Sequence, residues 1–182
     1  MKLLVNLLTV SRIVLALFIF GLIMQSNGYV LAFFLFILAG VTDFLDGYLA
    51  RKYDSKSVIG EILDPIADKI LIIFILFALA INLSSYVVGF FASLIISREI
   101  LVSALRDYNS RNNNTSATKV TFLAKFKTTT QIFTISLYLF ALAINSMLLL
   151  IISDLLLAIS TIITLYTGYI YIYNSVVKEQ DN

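Results

Sequence analysis

The chain has 182 residues, 60% of them hydrophobic, and a net charge of +2. Its mean hydropathy of +0.96 is far above that of a water-soluble domain, where about half the residues are apolar. Cysteine and histidine are both absent, which excludes disulfides, Cys/His zinc sites, thiol nucleophiles and imidazole bases. Acid and base chemistry therefore falls to Asp, Glu, Lys or Tyr.

At about 20 apolar residues per crossing, the length accommodates roughly six membrane helices with short connections and no second soluble domain. The first span is predicted over 6–24. It follows a single Lys2, and no small-residue cleavage site precedes Gln25-Ser26-Asn27-Gly28, so it reads as a retained helix rather than a signal peptide. The second runs over 29–50 and ends in Asp43-Phe44-Leu45-Asp46-Gly47-Tyr48-Leu49-Ala50-Arg51. After a polar break at 51–60 comes the third, over 61–82, carrying Asp64 and Asp68 near its start. The fourth covers 86–107 and holds Arg98, Glu99 and Arg106; a polar loop at 108–120 follows it. The fifth, 121–145, opens on Lys125-Phe126-Lys127, and the sixth, 147–173, ends among Tyr166, Tyr169, Tyr171 and Tyr173, which read as an interfacial aromatic belt.

All thirteen Lys and Arg residues lie near the termini or the two longer breaks, and the other three connections have none. The positive-inside rule then places both termini and both longer loops in the cytoplasm. The expected fold is all-α: one polytopic membrane domain, 1–182, of six transmembrane helices. Dispersed in this way, the basic residues form no single water-exposed face, so nucleic acid is not an expected partner. The Asn-x-Ser/Thr matches at Asn82 and Asn113 fall too close to the membrane or on the cytoplasmic side and are read as chance.

Asp43, Asp46, Asp64 and Asp68 demand an explanation. An aspartate at the centre of a bilayer helix costs roughly 2.5 to 3.5 kcal/mol on insertion scales, less near the interface. Asp43, Asp46, Gly47 and Ala50 occupy i, i+3, i+4 and i+7 of one helical face, and Gly60, Asp64 and Asp68 follow the i+4 row of the next helix. If these helices are neighbours, four carboxylates converge, and they need cations to remain charged together. Two divalent ions would balance them. All-oxygen ligation favours Mg²⁺ or Mn²⁺, and paired metals suit displacement at phosphorus. The small Gly47 and Ala50 leave room for a bulky nucleotide.

The string Asp43-x2-Asp46-Gly47-x2-Ala50-Arg51-x8-Gly60-x3-Asp64-x3-Asp68 closely resembles the signature of the CDP-alcohol phosphatidyltransferases. The resemblance implies a six-helix, usually dimeric, membrane enzyme that moves a phosphatidyl group from a CDP-linked lipid to an alcohol and releases CMP. It also implies that Asp43, Asp46, Asp64 and Asp68 hold metal and that Asp68 serves as general base. Gly47, Ala50, Arg51 and Gly60 would line the CDP-lipid site. Glu61 shares the face of Asp64 but lies outside the motif.

Elsewhere, Asn6-Leu7-Leu8-Thr9 with Arg12, Ser97-Arg98-Glu99-Ile100, Ala104-Leu105-Arg106 and 125–131 resemble the bacterial members of that family that use glycerol 3-phosphate. Val5 and Ala124 depart from the common pattern, and the likeness is weakest in the sixth helix. Charge supports an anionic acceptor: Arg98, Arg106, Lys125 and Lys127 gather on the side expected for the carboxylates, and cationic side chains bind phosphate oxygens well. The expectation is phosphatidyl transfer from CDP-diacylglycerol to glycerol 3-phosphate by a homodimer among membrane lipids, in a bacterial inner membrane with the site facing the cytoplasm. Phosphatidylglycerol or inositol phosphate as acceptor, and a divalent-cation transporter, are the competing readings.

Overall fold

The computed structural model describes the backbone over residues 2–25, 27–53, 58–111 and 122–180, and side chains over 10–25, 27–42, 66–111 and 126–175. The described residues form six helices: α1 (Lys2–Ile23), α2 (Tyr29–Tyr53), α3 (Val58–Asn82), α4 (Tyr86–Arg111), α5 (Phe122–Ala143) and α6 (Met147–Gln180). The protein is all-α. At the uncharged turns the sequence expectation and the structure agree, α2, α4 and α6 starting at Tyr29, Tyr86 and Met147. At their charged ends α1, α2, α3, α4 and α6 run on past the expected apolar stretch, because backbone hydrogen bonding carries a helix through polar sequence where hydropathy stops marking it.

Local chemistry sets the turns. Ser85 accepts a hydrogen bond from the Val88 amide at 3.2 Å, and Ser146 from the Leu149 amide at 3.4 Å, so each serine caps the helix that follows. Ser84 and Asn145 take the left-handed conformation, at φ 48° and 53°, and let the chain reverse. At Gly28 a side chain is impossible as the chain stands: a Cβ would lie 2.2 Å from the Leu22 carbonyl oxygen.

Cross-helix contacts fix the directions. Arg12 meets Asp68, and the Ile23 carbonyl accepts from Asn82 at 2.8 Å, so α1 and α3 run parallel. Arg98 reaches Thr164 and Asn109 reaches Ser175, so α4 and α6 also run parallel. Helices α5 and α6 form an antiparallel hairpin through Gln131 to Thr164 and Tyr138 to Asp154. The three tight turns therefore share one end. Each helix touches its neighbours in the cyclic order α1, α3, α4, α6, α5, α2, and α3 meets α5 across the ring. Between described residues α2 touches α1 and α5 but not α3.

The partition of side chains is inverted relative to a soluble protein. Phe34, Phe90, Leu155 and Ile162 are more than 60% exposed, while Arg12, Gln131, Thr134, Ser160, Thr164 and Asn109 are buried. An apolar outside with polar groups gathered inside is the arrangement that lipid demands. Helices Tyr86–Arg111 and Met147–Ser175 are long and apolar enough to cross a membrane. Lipid tails are as apolar as leucine, so close packing holds such helices together, helped by small residues at the contacts. Ala16, Ala32, Ala67, Ala78, Ala92 and Ala141 are buried in that role, around Ile19, Ile75, Leu79, Ile95 and Leu139.

Candidate active site

A cavity of about 460 Å³ opens between α3, α4 and α5. Its polar part is built by Asp68 and Lys69 from α3, Arg98, Glu99, Ser103 and Arg106 from α4, and Lys127, Thr128, Thr129 and Gln131 from α5. Its apolar part is isoleucine and valine: Ile72, Ile73, Ile95, Ile96 and Val102. Helical periodicity explains the α4 wall, because Ile95, Glu99, Val102 and Arg106 recur at spacings of four, three and four along one face.

Asp68 is held from α1. The Arg12 guanidinium, only 2% exposed, bonds its carboxylate at 2.5 Å, and the carboxylate itself stays 46% exposed. A charge-assisted bond of this kind fixes the orientation of the acid while leaving it open to the cavity.

Glu99 is the hub of the cationic wall. It accepts from Arg98 NH1 at 3.0 Å and from the Lys127 ammonium, and all three side chains are largely buried. A buried charge needs a partner, and one carboxylate here serves two cations. Lys69 donates to Ser103 Oγ across the α3–α4 contact. Exposed Arg106 stands over the Tyr171 ring, 5.6 Å from its centroid, within cation–π reach. The cavity thus sets Lys69, Arg98, Arg106 and Lys127 against Glu99 and Asp68. The balance is cationic, which suits a phosphate.

Of the residues singled out in the sequence, Asp68, Arg98, Arg106 and Lys127 all line this one cavity. Asp43, Asp46, Gly47, Ala50 and Arg51 belong to α2, Gly60 and Asp64 to α3 and Lys125 to α5; the side chains of all eight lie outside the described residues. Lys69, Glu99, Ser103 and Gln131 line the cavity without being among the expected site residues. The signal for Lys69 and Glu99 was present in the sequence, since each is an ionisable group inside an apolar helix. Among the tyrosines, Tyr166, Tyr169 and Tyr173 are exposed, as an interfacial belt requires, whereas Tyr171 turns inward beneath Arg106.

The family model described as CDP-alcohol phosphatidyltransferase matches residues 2–168. The chain belongs to this family. It is 36% identical over 131 residues to the CDP-diacylglycerol–glycerol-3-phosphate 3-phosphatidyltransferase of Haemophilus influenzae, covering 70% of each chain. It is 34% identical over 137 residues to the Escherichia coli K12 enzyme of the same name, covering 74% of this chain and 75% of that one. Family membership makes it a membrane-embedded phosphatidyltransferase, and the transporter reading gives way.

Chemistry of this family depends in general on a divalent cation. Among the described residues no three acidic side chains gather, since only Asp68 of the four expected ligands has a described side chain. Asp68 fits the role: a half-exposed hard oxygen donor, fixed in place, at a cavity wall.

Proposed function

We propose that the protein transfers the phosphatidyl group of CDP-diacylglycerol to glycerol 3-phosphate, giving phosphatidylglycerophosphate and CMP. The observation that carries this reading is the cavity in which Asp68 shares walls with Lys69, Arg98, Arg106 and Lys127: one carboxylate to take a proton, beside cations to hold an anionic acceptor. The similarity to glycerol-3-phosphate enzymes points the same way.

In this reading Asp43, Asp46, Asp64 and Asp68 hold Mg²⁺ or Mn²⁺, two ions in all. Bound there, the cations would neutralise the pyrophosphate and the charge developing on the leaving group. Gly47, Ala50, Arg51 and Gly60 line the nucleotide site. Arg98, Arg106, Lys125 and Lys127 hold the acceptor phosphate, bringing its free primary hydroxyl to Asp68. Asp68 takes the hydroxyl proton as the oxygen bonds to the lipid-bearing phosphorus; the bond from that phosphorus to the CMP oxygen breaks, and CMP leaves with its electron pair. Positioning and charge complementarity supply most of the rate. The six helices span the inner membrane of a bacterium as a homodimer, with termini and active site on the cytoplasmic side.

Purified protein supplied with CDP-diacylglycerol, Mg²⁺ and one acceptor at a time, with CMP release measured, tests the proposal. Release dependent on glycerol 3-phosphate is expected. Release that instead requires phosphatidylglycerol or inositol phosphate would reassign the acceptor.

A further inference from the structure

Behind the cationic wall, one face of α6 carries Thr164, Thr167, Gly168 and Tyr171, at i, i+3, i+4 and i+7. Arg98 lies along it. Its Nε donates to the Thr164 carbonyl oxygen at 2.9 Å and its NH2 to Thr167 Oγ1 at 3.0 Å. Thr167 Oγ1 in turn donates to the same carbonyl at 2.9 Å, which orients its lone pairs toward the arginine. Gln131 of α5 donates to Thr164 Oγ1 at 3.2 Å, locking α5 onto the same residue. Farther along, the Tyr171 ring carries Arg106.

Gly168 makes this possible. A Cβ built there would stand 3.0 Å from Arg98 Cγ and 3.1 Å from its Nε. The arginine stem would have to give by a few tenths of an ångström, and a shift away from α6 lengthens both of its bonds to the helix. The three contacts to Glu99, Thr164 and Thr167 leave the guanidinium with further N–H donors, and Arg98 is among the residues that line the cavity.

We propose that this α6 face is a positioning device for the acceptor phosphate. Thr164, Thr167 and Gly168 preset Arg98, and Tyr171 presets Arg106, without themselves touching substrate. An arginine side chain carries about 2 kcal/mol of rotamer entropy; fixing it beforehand removes that cost from binding. The inference deepens the glycerol 3-phosphate reading and rests on it.

The test compares Gly168→Ala, Thr167→Val and Thr167→Ser in the purified enzyme, with Gly21→Ala as a control whose added Cβ meets nothing within 4 Å. Loss of one charge-assisted bond predicts an acceptor KM raised about tenfold in Gly168→Ala and Thr167→Val. The KM for CDP-diacylglycerol and the kcat at saturating acceptor should hold, and Thr167→Ser and Gly21→Ala should match the parent. An unchanged acceptor KM, or an equal rise for both substrates, overturns the inference. Calorimetric titration with inorganic phosphate separates the two levels. If the parent enzyme does not use glycerol 3-phosphate, the acceptor reading fails, yet the positioning role still predicts weaker phosphate binding by Gly168→Ala; equal affinity would remove it.

Discussion

Arg12 on α1 and Asp68 on α3 are joined at 2.5 Å, the arginine buried and the carboxylate about half open to the cavity. A base held this way need not search for its orientation. Asp68→Asn keeps the size of the side chain and an oxygen for Arg12, but cannot accept the hydroxyl proton. CMP release should fall by about 10²- to 10⁴-fold, the usual worth of a positioned general base, while CDP binding measured by calorimetry stays in place. Normal turnover in this variant would remove Asp68 as the base.

Glu99 balances Arg98 and Lys127 together, so its neutralisation strands two cations against each other. Breaking a buried pair from one side costs about 3 kcal/mol or more. Glu99→Gln should therefore lower the thermal midpoint in detergent. Glycerol 3-phosphate or inorganic phosphate should restore more of that loss than it adds to the parent protein, because the anion replaces the missing charge and binds only the folded state. Equal shifts in both proteins would mean that the cations do not face the anion site.

Much of this was legible in the sequence, for a physical reason. Polar groups are costly in lipid, so Asp68, Arg98, Arg106 and Lys127 stood out as charges that needed a purpose, and they line one cavity. The turns at Gln25–Gly28 and Asn145–Ser146 broke the apolar runs cleanly. The α6 face was not legible. Thr164, Thr167 and Gly168 look like ordinary packing residues in an apolar helix, and Arg98, their partner, sits 66 residues before Thr164. Helix ends were also obscured wherever a helix outruns its apolar stretch, as α4 does in reaching Arg111.

Metal dependence follows from the carboxylate set proposed for the reaction. Chelation should abolish CMP release, and Mg²⁺ or Mn²⁺ should restore it. Asp43→Asn, Asp46→Asn and Asp64→Asn should each raise the metal concentration for half-maximal activity by at least the roughly tenfold that losing even a supporting group costs. Unchanged metal titrations in all three would move the metal site away from α2 and α3.

Tyr138 and Asp154 form another polar pair between helices, away from the residues that line the cavity. The fully buried tyrosine donates to the aspartate at 2.5 Å and ties α5 to α6. This gives Asp154, for which the sequence offered no role, a structural one. Tyr138 lies eleven positions along α5 from Lys127, about 16 Å of helix rise, and between them Gln131 makes its own link to α6. Tyr138→Phe keeps the ring and removes the donor, so the half-buried Asp154 carboxylate loses this bond at a cost of about 1 kcal/mol. The thermal midpoint should fall. The acceptor KM should not move, because Arg98 is held to α6 by bonds of its own at Thr164 and Thr167. A raised KM alongside the lower midpoint would mean that the α5–α6 hairpin transmits strain along its length, and that the two polar clusters form a single device.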